Sequence, residues 1–203
     1  MKLHYHPLSP YSRKVSTAIA MRGDPIELVS IRLGTNALAT PEFLAISPFG
    51  KIPVLETESG PIIESTSIIE YLEEQGPRCL LPVGSERTAR HFDRLGDHYL
   101  IATVAKYFWA RTSSKGKEAP DTARKAWGLF ATELRGRKFV CGDDFSLGDL
   151  GAAIATDYFE REGLELPGAI RDWKNRCFEI RAMADSLAAA VPFVESTKPM
   201  RLK

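Results

Sequence analysis

The sequence predicts a mixed α/β unit over residues 1–77 and an all-helical unit over residues 86–203, joined by a linker at 78–85. Three observations carry this. Strand-like runs are confined to the first unit, every patterned stretch beyond Ser85 has helical spacing, and prolines and glycines cluster between the two at Gly76-Pro77 and Pro82-Val83-Gly84.

Leu3 to His6 is the first predicted strand. Pro10 to Met21 follows as a helix with Val15, Ala18 and Ile19 on one face, stopped by Gly23 with Pro25 just beyond. Ile26 to Ile31 alternates like a second strand, and a strand, helix, strand unit connects in the right-handed, parallel sense. Ser47-Pro48-Phe49-Gly50 then makes a turn ahead of a third strand through Val54 and Leu55. Glu58-Ser59-Gly60 makes a hairpin into a fourth strand, Pro61 to Glu64. Ser65 to Gln75 closes the unit as a helix, with Ser67 and Glu70 in capping-box register and Gly76-Pro77 as its stop. The order is βαβ followed by ββα, the thioredoxin-like arrangement.

In the second unit, helical patterns cover Glu86 to Thr112, Asp121 to Arg135, Leu166 to Arg176 and Ala182 to Ala190. Another helix starts at Ser146, whose spacing to Asp149 is that of a capping box. Gly148 and Gly151 lie inside that helix, where each costs about 1 kcal/mol relative to Ala, so close packing against a neighbour is expected there.

Composition excludes several functions. Lysine and arginine number 27 against 26 aspartates and glutamates, so no global field favours nucleic acid or an anionic membrane. Cys79, Cys141 and Cys177 are odd in number and widely separated, which argues against a disulfide framework or a metal site. No apolar run reaches the roughly 20 residues of a membrane span, and the N-terminus lacks signal-peptide character, so a soluble cytoplasmic protein is expected.

The chemistry concentrates at three places. Ser9-Pro10-Tyr11-Ser12 stands between the first strand and the first helix. A cysteine there would be an acidified nucleophile, whereas a hydroxyl can only donate a hydrogen bond to a sulfur anion that a ligand brings. The same residues also suit plain capping, with Ser9 as N-cap and Pro10 in the first helical position. Ile52-Pro53 heads the third strand, where a cis bond would turn the N–H and C=O of Ile52 toward a cleft and let a ligand backbone pair as an added strand. Glu64-Ser65 stands where a strand yields to a helix. Free N–H groups there suit a carboxylate and Glu64 suits an ammonium, the two charges of an amino-acid head. His4 and His6 read as strand-face residues.

With these places in hand, the chain resembles the glutathione S-transferase family through SPYSRKV, SPFGKIPVLE, ESTSIIEYL and GDDFSLGDL, in that order along nearly the whole chain. The resemblance implies that Ser9 hydrogen-bonds the glutathione sulfur, with Tyr5, at the position used by tyrosine-type members, and Ser12 as rivals. It implies that Ile52 pairs with the cysteinyl unit, that Pro53 is the cis proline, that Glu64 and Ser65 hold the γ-glutamyl head and that Lys51 stands beside the glycine carboxylate. It further implies glutathione as co-substrate without a metal, and an apolar small-molecule electrophile seated against the first helices of the second unit, where Tyr99, Ala102, Val104, Tyr107, Phe108 and Trp109 lie. It implies a homodimer in which Asp93 or Asp97 approaches a partner's glutathione. Retention of Ser9, Glu64 and Ser65 favours a transferase over a transferase-like interaction protein, while a glutathione-dependent isomerase or reductase stays open.

Overall fold

The structure, a computed structural model, describes residues 1–109 and 120–201. Four short strands form one sheet in the order β2-β1-β3-β4: β1 (Lys2–Tyr5), β2 (Glu27–Ser30), β3 (Val54–Thr57) and β4 (Gly60–Ile63). β1 runs parallel to β2 and antiparallel to β3, with Leu3 opposite Leu28 and Leu55; β3 and β4 are an antiparallel pair closed by the predicted hairpin. Helix α1 (Pro10–Arg22) connects β1 to β2, and its end is as predicted: Gly23 sits at φ 72° and its N–H returns to the carbonyl of Ile19. A short helix α2 (Pro41–Ile46) precedes β3, and α3 (Ser65–Glu74) follows β4.

The helical unit comprises α4 (Glu86–Leu95), a π-helical stretch Gly96–Ile101, α5 (Ala102–Trp109), α6 (Asp121–Glu133), α7 (Leu147–Arg161), α8 (Gly168–Phe178) and α9 (Arg181–Arg201). The single helix predicted from Glu86 is therefore interrupted, and its predicted end at Thr112 lies outside the described residues. The widened turn starts at Gly96, which rests on Ala152 of α7 so closely that an added Cβ would meet that residue at 3.2 Å.

Helix α7 is the axis of the unit, buried for nearly its whole length. Both oxygens of Asp149 work at its start: Oδ1 accepts from the Val140 amide at 3.1 Å and from the Trp173 indole at 2.9 Å, while Oδ2 accepts from the Ser146 amide at 3.1 Å and its hydroxyl at 2.9 Å. Burial nonetheless pushes the Asp149 carboxyl up to about 6, against the opposing pull of those donors. The two glycines have the expected packing reason. A Cβ on Gly148 would stand 2.9 Å from Phe92 and Val140, and one on Gly151 would stand 3.2 Å from Ile101 and 3.3 Å from Lys14. One apolar core runs from Leu3 and Leu55 in the sheet through Ile68 and Leu100 to Trp127 and Trp173, so the two units share an interior.

One cap differs from expectation. Helix α3 begins at Ser65 with Glu64 as N-cap, so Ser67 is already inside the first turn and caps nothing. Glu70 instead accepts from Arg90 of α4 at 2.5 Å.

Candidate functional site

A cavity of about 330 Å³ opens where α1, the loop before β3, the start of α3 and the π-helical stretch meet. The loop is pinned from within. The buried Ser47 hydroxyl donates to the carbonyl of Lys51 at 2.8 Å and accepts from its amide at 3.1 Å. Gly50 adopts φ 60° below the Leu38 carbonyl, which a Cβ would meet at 2.8 Å. The Ile52–Pro53 peptide bond is cis. Among the described residues no protein group pairs with the backbone N–H or C=O of Ile52, which therefore offers a short open edge to the cavity.

At the opposite wall, Glu64 takes φ 71°, the only non-glycine residue with positive φ among those described. Holding a side chain there costs of order 1–3 kcal/mol, and such residues concentrate where a ligand is clamped. The turn aims the start of α3 into the cavity. No side chain among the described residues caps its first amides, and the hydroxyl of Ser65, 2% exposed, has no hydrogen-bond partner. A buried hydroxyl left without a partner at the mouth of a helix dipole is chemically suited to an anionic group of a ligand.

Beneath this wall lies a buried ionic cluster. The ammonium of Lys14, fully buried in α1, contacts Asp93 directly, Asp97 Oδ2 at 2.9 Å and the Thr66 hydroxyl at 2.9 Å. Thr66 in turn donates to Asp93 at 2.6 Å. Burial alone would lower the Lys14 pKa, but the two carboxylates outweigh it and raise it, so the cation persists. Burial, and beyond it Asp97, raise Asp93, with Lys14 pulling the other way. Asp97 also lines the cavity, beside Tyr11, whose hydroxyl donates to the Asp97 carbonyl at 3.3 Å. Burial and the nearby carboxylates of Asp97, Glu64 and Asp93 push Tyr11 up to about 12, so it remains a protonated donor.

Lys51, Ile52, Pro53, Glu64 and Ser65 thus line one cavity. Ser9, Tyr5 and Ser12 are not part of its lining. Ser9 is the N-cap of α1, two residues before Tyr11, and its Oγ accepts from the Ser12 amide at 3.3 Å. Ser12 has a buried hydroxyl with no partner, and Tyr5 packs on the core. Of the aromatic wall named for the second substrate, Val104 is core and Tyr99 is half exposed, while the side chains of Tyr107, Phe108 and Trp109 lie outside the described residues. Tyr11, Arg94 and His98 line the cavity without having been singled out. Tyr11 sat inside the Ser-Pro-Tyr-Ser motif; Lys14, four residues before Ala18 on the apolar face of α1, was a charged residue in a core position. Among the described residues no cluster of histidine, cysteine and acidic side chains is arranged to hold a metal ion, and no helix is long and apolar enough to cross a membrane.

Residues 3–79 match the family model of the glutathione S-transferase N-terminal domain, and residues 95–180 match that of the glutathione S-transferase C-terminal domain. The chain belongs to the glutathione S-transferase family. It is 32% identical over 166 residues to the glutathione S-transferase of Pseudomonas putida, covering 77% of this chain and 74% of that one. It is 29% identical over 197 residues to glutathione S-transferase 2 of Saccharomyces cerevisiae, covering 87% and 84%. The crystal structure of Gtt2 from the same yeast superposes with a TM-score of 0.78 at 27% identity, over 92% of this chain and 100% of that one. The family's fold, a thioredoxin-like sheet followed by a helical domain, is the one described above.

Proposed function

We propose that this transferase-family chain binds glutathione in the 330 Å³ cavity and activates its thiol for attack on a small, apolar electrophile. The observation that carries the reading is that Ser65, its buried hydroxyl without a partner among the described residues at the open start of α3, and Ile52, with its unpaired backbone, line the same cavity. The γ-glutamyl carboxylate would take the Ser65 hydroxyl and the first amides of α3, with Glu64 receiving the ammonium. The cysteinyl backbone would pair with Ile52, and Lys51 would stand by the glycine carboxylate.

Ser9 would then meet the sulfur. Its Oγ already accepts from the Ser12 amide, which leaves the hydroxyl proton free to donate outward. Lowering a thiol from about 8.5 by two units requires roughly 2.7 kcal/mol of preferential thiolate stabilisation, within reach of one hydroxyl donor and the start of a helix. The thiolate would attack the electrophilic carbon, displacing the leaving group or adding to the double bond, with rate gained from juxtaposing the reactants. The working form in this reading is a cytoplasmic homodimer built from a glutathione-binding unit, 1–77, and a helical unit, 86–203.

The test is a glutathione titration followed by thiolate absorbance in wild type and Ser9→Ala. Saturable absorbance that disappears in the variant supports the reading. Absorbance that survives moves the role to Tyr5 or Ser12, and binding without thiolate points to an interaction protein.

A further inference from the structure

Three residues separate β1 from Ser9, and His6 and Leu8 among them are held from different directions. The Ser9 amide donates to the carbonyl of His6 at 3.0 Å. The Leu8 amide donates to Nδ1 of the His6 ring at 3.0 Å, and the Leu8 carbonyl accepts from the Tyr158 hydroxyl of α7 at 2.7 Å. The His6 ring, 6% exposed, stands edge to face with Phe193 of α9, their centroids 4.6 Å apart. His6 therefore lies past the end of β1, where it serves a turn and not a strand face.

We propose that His6 is a positioning residue for Ser9, fixing the turn that presents its hydroxyl by accepting the Leu8 amide on a neutral imidazole. The claim rests on the proposed role of Ser9. A ring nitrogen that accepts a backbone N–H carries no proton of its own, so the bond assigns the proton to Nε2. Protonating Nδ1 sets donor against donor, leaves a buried amide unpaired and frees the turn on the Ser9 side of the Tyr158 anchor. Burial lowers the His6 pKa from its usual 6.5, which keeps the ring neutral at pH 7.

Among the described residues, charged groups on α1, α7 and α9 pair with one another. Arg13 of α1 donates to Ser186 of α9 at 3.1 Å, lies over the Tyr158 ring at 5.3 Å and stands 4.0 Å from Asp157 of α7, which itself accepts from Arg161 at 3.0 Å. Among the described residues His6 has no carboxylate partner, so nothing stabilises a charged ring in place.

The experiment compares wild type, His6→Asn, His6→Phe and Ser9→Ala by thiolate absorbance at saturating glutathione from about pH 5 to 8. Asn places a non-titrating acceptor two residues before the same amide, the geometry of an Asx-turn. Expected is a thiolate signal that falls with two protons in wild type and with one in His6→Asn, whose signal at pH 7 matches wild type. His6→Phe keeps the contact with Phe193, loses the acceptor and has about tenfold less thiolate at pH 7. Equal proton slopes in wild type and His6→Asn, with the signal still dependent on Ser9, overturn the positioning role alone. A signal indifferent to Ser9→Ala removes the reading of Ser9 and this inference with it. Should His6→Phe fail to fold, the slope in His6→Asn decides.

Discussion

Two helix starts in this molecule are built to opposite specifications. At α7 the cap is complete: Ser146 and Asp149 exchange hydrogen bonds, and the Asp149 carboxylate also takes the Val140 amide and the Trp173 indole, all away from solvent. At α3 the N-cap residue is twisted to positive φ, and among the described residues no side chain caps the first turn and none partners the buried Ser65 hydroxyl. The first start serves folding and leaves nothing for a ligand. The second omits about 1 kcal/mol of capping and leaves its donors open, as the proposed glutathione site requires. In the proposed reading the contrast separates groups that stabilise the chain from groups that bind.

The contrast breaks most visibly at the closed end. Asp149→Ala orphans buried donors at Val140 and Ser146 on the segment before α7 and at Trp173 on α8, and is expected to cost about 4 kcal/mol in urea unfolding while leaving any glutathione affinity of the folded fraction unchanged. Beneath the open end, Lys14→Met leaves Asp93 and Asp97 facing each other without their cation. A loss of about 3 kcal/mol is expected, together with weakened glutathione binding, because Thr66 is bonded into the same cluster beside Ser65.

A pH experiment sharpens the comparison at α7. Because the folded-state carboxyl of Asp149 is raised to about 6 from an unfolded value of 3.8, its contribution is fully present below 3.8 and is lost as pH rises through about 6. The span is about 2 to 3 kcal/mol, and Asp149→Asn should remove that component from the stability-versus-pH curve. The smallest effect lies at the open end and has two signs. Ser65→Ala deletes a buried hydroxyl with no partner, so the unliganded protein should gain up to about 1 kcal/mol in thermal unfolding while glutathione binding weakens about fivefold by calorimetry. A loss of stability without a loss of affinity would mean that Ser65 is structural.

What was legible in the sequence divides along the same line. Signals set by local chain geometry were readable: the Ser146 and Asp149 box, the Gly23 stop, the Glu58-Ser59-Gly60 hairpin, and the small residues at 148 and 151 that imply a near neighbour. The Ser67 cap was misplaced because a hydroxyl three residues before an acid satisfies the pattern wherever it falls, while the true start depends on the twisted Glu64. The π-helical stretch after α4 was hidden because it begins where Gly96 packs close to Ala152, a neighbour on a helix far along the chain that no local pattern names. Tyr11 and Lys14 matter through neighbours in the other unit, Asp97 above all, and pairings of that range leave no periodic trace.

Lys14 also bears on how such a molecule can be taken apart or recombined. Its ammonium belongs to the sheet-bearing half and its two carboxylates to the helical half, so a fragment ending at the linker would keep the cation and lose both acids. Grafting a foreign helical half onto this one would meet the same obstacle unless the graft carried an acid at the place of Asp93 or Asp97. The halves are thus a matched set, and the match is written in charge as much as in shape.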